Sequence, residues 1–108
     1  MKNSEAIARV LVHLLLLEPG TFQSHPEMGV GLVSKYRYTM EDKLNTLRDD
    51  FRSQIEKYLP QYQGVEVNCM MQNKICYITA KIDGILYAFF YDSNKNDLNY
   101  TFKTLSDL

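Results

Sequence analysis

Residues 75–92 read ICYITAKIDGILYAFFYD, and this stretch decides the fold. Cys76, Ile78, Ala80 and Ile82 recur at every second position, the period of a half-buried strand. Asp83-Gly84 follows, a strong signal for a two-residue type I′ hairpin, whose central residues both need positive φ. Pairing across that turn sets Ile82 against Ile85, Ala80 against Tyr87 and Ile78 against Phe89. Turn chemistry and burial therefore demand the same register. The other face sets Tyr77 across from Phe90, Thr79 from Ala88 and Lys81 from Leu86. Tyr77, Leu86, Ala88 and Phe90 are too apolar for a solvated face, so they form a candidate interface.

The alternation extends outward. Val65, Val67, Cys69 and Met71 alternate with Glu66, Asn68, Met70 and Gln72 after Gly64, and predict a strand before the hairpin. Leu98, Tyr100 and Phe102 predict a fourth strand beyond the polar loop 92–97. Upstream, the period becomes helical. Leu44, Leu47, Phe51, Ile55 and Tyr58 fall three and four apart and form one apolar stripe, ended by Pro60. Thr39 and Asp42 resemble a capping box at its start.

A first helix runs from a cap at Asn3 or Ser4 to Leu17, with Glu5, Arg9 and His13 as its narrow polar stripe. So apolar a helix in so small a chain predicts partial burial by a partner. Glu18-Pro19-Gly20 stops it. Residues 21–38 carry Pro26, Gly29 and Gly31 and predict a loop, with one helical turn near Gly31–Lys35. The predicted architecture is α+β: two main helices on one face of a three- to four-stranded antiparallel sheet, in a single domain spanning residues 1–108.

Composition narrows the function classes. The chain has 108 residues, 45% of them hydrophobic, and a net charge of −1. This is no disordered chain, and it lacks the basic excess usual in nucleic-acid binders. The longest apolar run, Val10–Leu17, is broken by His13 and is far short of the about 20 residues that span a bilayer. A cleavable secretion signal is not expected, since Glu5, Arg9 and His13 interrupt its pattern. Two cysteines, Cys69 and Cys76, suit a reducing compartment with free thiols.

Chemical constellations are weak. Glu18 and Glu27 are loop acids, but no nucleophile, base and orienting group assemble around them. Cys69 and Cys76 point to the predicted core face, where cysteine behaves as a small hydrophobe. With His13 and His25 they lack the paired spacing of a zinc site. Gly29-x-Gly31 follows no strand, so it reads as a turn rather than a phosphate loop. We expect no catalytic residue, metal, cofactor or small-molecule substrate.

Taken in order, an apolar helix runs into Pro19-Gly20, then Pro26-Glu27-Met28-Gly29-Val30-Gly31-Leu32, an amphipathic helix, Tyr58-x-Pro60, and alternating strands. This order resembles the baseplate-wedge family of contractile phage tails, often labelled lysozyme-like, which includes the type VI secretion baseplate subunit. The resemblance covers roughly residues 5–91. It implies a non-enzymatic structural part of the virion or injection-particle baseplate, assembled in the cytoplasm. Its implied partners are baseplate wedge proteins and the contractile sheath protein, with no nucleic acid or membrane.

The sheath would be joined by strand addition to a sheet edge. Pro19, Gly20, Pro26, Glu27, Gly29, Gly31 and Leu32 form the family loop motif. Tyr58, Leu59, Pro60 and Gln61 stand where the family docks the wedge core through an aromatic-Glu-Pro-Arg motif, and both charges are lost here. Gly20-Thr21-Phe22 replaces the family Gly-Glu-Arg, and Met28 replaces an aromatic. The same fold occurs in a regulatory anti-adaptor, which is the alternative role. A peptidoglycan hydrolase, despite the label, has no acid pair to support it.

Overall fold

Four antiparallel strands form a meander in the order β1-β2-β3-β4: Glu66–Gln72, Ile75–Ile82, Ile85–Asp92 and Asp97–Thr104. The computed structural model describes residues 3–21 and 23–104. Every hairpin pairing read from the sequence is present, including Ile82 with Ile85, Ala80 with Tyr87 and Tyr77 with Phe90. Asp83 and Gly84 take φ of 51° and 74°, as a type I′ turn requires. Asn73 and Lys74 close β1 onto β2 at φ 53° and 67°, a second tight turn carrying no glycine.

Helix α1 spans Asn3–Leu16 and α2 spans Leu44–Tyr58. Both lie on the sheet face that carries Val67, Ile78, Ala80, Tyr87 and Phe89. Their apolar sides meet there: Leu11, Leu14 and Leu15 from α1, and Leu47, Phe51 and Ile55 from α2, are all fully buried. Phe51 meets Phe89 edge-on at 5.9 Å. Each such burial contributes about 1.5–3 kcal/mol before conformational entropy is counted. The predicted fold class is the observed one.

Three local expectations need correction. Asn3 and Ser4 both lie within α1, so its capping position falls outside the described residues. The Leu17 N–H still donates to His13 O at 2.8 Å, but the helix ends at Leu16. Thr39 caps nothing: a 3-10 turn, Met40–Lys43, intervenes before α2, and the Thr39 hydroxyl lies 3.4 Å from Lys35 O. Buried Met40 explains the extra turn, because it brings an apolar side chain to the core one turn early.

The loop turn lies close to its expected place, as one π-helical turn at Leu32–Tyr36. Val10 and Leu16 are exposed on α1, as expected of a helix its own domain buries only in part.

Candidate interaction site

Residues 18–31 bolt the two helices together. Gly31 N–H donates to Leu17 O at 3.0 Å and Val30 N–H to Leu14 O at 2.8 Å, satisfying carbonyls that the end of α1 leaves open. Gly20 N–H donates to Pro26 O at 2.7 Å, closing the loop on itself. Gly29 sits at φ 114°, where a Cβ would lie 2.3 Å from Leu17 O. Only glycine fits there. Leu32 is fully buried, while Pro19 and Pro26 stay exposed. Phe22 lies outside the described residues.

The other end of the bolt is α2. Gln54 accepts from Gly29 N–H at 2.8 Å and donates to Glu27 O at 3.1 Å. Glu27 Oε1 takes Lys57 Nζ at 2.6 Å and the Tyr58 hydroxyl at 3.0 Å. The Lys57 hydrogen bond is the main reason its carboxyl is held down at about 2. His25 meets the Tyr58 ring edge-on at 5.9 Å. The loop motif is therefore a structural clamp that fixes the α2 terminus.

The four residues of the expected wedge-docking segment do not share one environment. Tyr58 is half-buried and engaged with Glu27. Leu59 is 8% exposed and packs in the core, its N–H bonded to Ile55 O at 2.8 Å. At Leu59 the chain turns the side chain inward. Only Pro60 and Gln61 are well exposed, so a docking surface at this corner would be carried by them.

The sheet offers two bare edges. A two-residue turn closes on a hydrogen-bonded pair, so Ile82–Ile85 and Gln72–Ile75 are both such pairs. Counting by twos from them, Leu98, Tyr100 and Phe102 aim their backbone N–H and C=O away from β3. Val67, Cys69 and Met71 do the same at the β1 edge. Among the described residues neither edge pairs with a further strand.

The face away from the helices carries Met70, Tyr77, Phe90, Leu86 and Ala88. Tyr77 and Phe90 meet edge-on at 5.4 Å, and none of the five belongs to the core cluster.

The chemical candidates stay apart. Glu18 is exposed and lines an open depression with Arg9, His13 and Thr21, a set that does not include Glu27. An ionised Glu27 has no proton to give as a general acid near neutrality. Burial pushes the thiols of Cys69 and Cys76 up to about 12, which leaves them protonated. Sequence reasoning missed Gln54. Its position seven residues beyond Leu47, on the apolar stripe of α2, was the available signal.

No family model and no curated protein matches this chain. Among solved structures, a crystal structure from Geobacter sulfurreducens, described as a tail lysozyme, matches with a TM-score of 0.56. The match covers 94% of this chain and 88% of that one, at 11% identity. At that identity the likeness establishes a common fold alone. The fold is thus one found in a protein described as a tail lysozyme.

Proposed function

We propose that this chain is a non-enzymatic baseplate component of a contractile injection machine, assembled in the cytoplasm and joining wedge proteins to the first sheath ring. The observation that carries the reading is the bare edge of β4, with Leu98, Tyr100 and Phe102 aimed outward. An extended strand from a sheath subunit would bond to those groups. Tyr100 is 40% exposed on the helix side of the sheet, so an added strand would also cover apolar surface there. The low, clamped carboxyl of Glu27 disfavours its use as a general acid near neutrality.

Deletion of the gene tests this. The proposal expects cells without it to hold tubes and sheath that fail to assemble, with assembly restored by the wild-type chain. A Tyr100→Pro chain removes an outward N–H and no bond of the β3–β4 ladder, and should fold yet fail to restore assembly. Normal particles from the deletion strain would refute the proposal. So would peptidoglycan clearing by the pure protein that Glu18→Gln or Glu27→Gln abolishes.

A further inference from the structure

We infer that the outer face of the sheet is self-complementary and pairs two copies of this chain face to face about a two-fold axis. The inference does not rest on the assembly reading. The register fixes four rows across this face. They run Glu66-Lys81-Leu86-Lys103, then Asn68-Thr79-Ala88-Thr101, then Met70-Tyr77-Phe90-Asn99, and finally Gln72-Ile75-Asp92-Asp97.

Small side chains fill most of the second row and large ones most of the third. Lysine lies at one end of the face and aspartate at the other. A two-fold axis running across the strands between the second and third rows lays each row over its opposite number. Phe90 then sits over the partner copy's Ala88 position, Tyr77 over that of Thr79, and Met70 over that of Asn68. Each contact occurs twice, as an isologous interface requires. Large on small is the arrangement that fills an interface without voids.

Charge agrees with size along β4. Lys103 and Asp97 are both exposed at opposite ends of β4, and this axis brings each onto the other in the second copy. Asp92, which falls opposite Leu86, keeps its carboxylate on the Asn94 and Lys95 amides at 3.0 and 3.4 Å. The alternative axis, along the strands, stacks Tyr77 on Phe90 and leaves Thr79 facing Ala88. That places bulk on bulk and a gap beside it. Three strands of eight residues and one of seven cover about 500 Å² of sheet. This is less than the roughly 800 Å² per partner of a standard interface, so the pair is a weak, reversible one. Neither strand edge is used.

Sedimentation equilibrium over a wide range of concentration tests this on the full chain, with circular dichroism confirming that each variant folds. The wild type should show a concentration-dependent monomer–dimer equilibrium. Lys103→Asp and Asp97→Lys should each raise the dimer dissociation constant about tenfold, and the double swap should restore it to within about threefold of wild type. Glu56→Lys, on the exposed side of α2 and off this face, should leave it unchanged. A chain monomeric at every concentration overturns the inference. So does a dimer that ignores both single swaps, one that the double swap fails to rescue, or one that Glu56→Lys disrupts.

Discussion

Gln54 accepts the buried Gly29 N–H at 2.8 Å, and it is the one side chain of polar type buried in the core of the described residues. The same carboxamide donates to Glu27 O at 3.1 Å, so a single residue of α2 holds two backbone groups of the loop. Truncation would strand the Gly29 N–H without a partner, which costs about 1–3 kcal/mol. Gln54→Ala should therefore lower the unfolding free energy by about 2–4 kcal/mol, adding the lost packing. Urea unfolding checks this, and a loss below about 0.5 kcal/mol would rule out the clamp.

Glu27 adds an acid-dependent part to the same clamp. Its ordinary value of 4.5 falls to about 2 in the folded chain, chiefly through the hydrogen bond from Lys57. A depressed folded value contributes stability that is fully present above 4.5 and is lost as pH falls toward about 2. Glu27→Gln should be less stable than the wild type near neutrality. The difference should shrink through that window and be reduced by salt, because both partners are exposed. Denaturant midpoints measured along a pH series would show it, and parallel curves for the two proteins would contradict it.

Tyr87 offers the opposite case. Its ring is fully buried, and its hydroxyl finds no hydrogen-bond partner among the described residues. Burial raises its pKa to about 12. Phenylalanine keeps the ring and removes an unsatisfied polar atom. Tyr87→Phe should be neutral or stabilising by about 1 kcal/mol, which raises Tm by roughly 4–8 °C in a chain of this size. A lower Tm would reveal a hydroxyl contact.

Much of this architecture was legible in the chain itself. The Asp83-Gly84 turn and the alternation about it specify the β2–β3 register, because a slip of one residue would expose Ile78, Ala80, Tyr87 and Phe89. The α2 stripe was equally plain. The Asn73-Lys74 turn was not, since lysine at φ 67° is a conformation its side chain disfavours and the adjoining strands impose.

The loop could be recognised as a loop from its breakers, but not as a clamp. The fit of Gly29 against Leu17 depends on two segments meeting in space. The same is true of Leu59: the family resemblance placed it in a docking corner, and the local chain turn carries it into the core. The register puts Tyr77, Leu86, Ala88 and Phe90 together on the outer face, as the hairpin pairing implied. The opposed rows of large and small residues emerge only once all four strands are in register.

The central claim is that this polypeptide is a built-in part of a contractile particle. Quantitative mass spectrometry of purified particles, set against the soluble fraction of the same cells, tests it most directly. The account predicts the chain in the particles at a fixed ratio to the sheath protein. Its absence from intact particles, with the chain plentiful in the soluble fraction, would contradict the account.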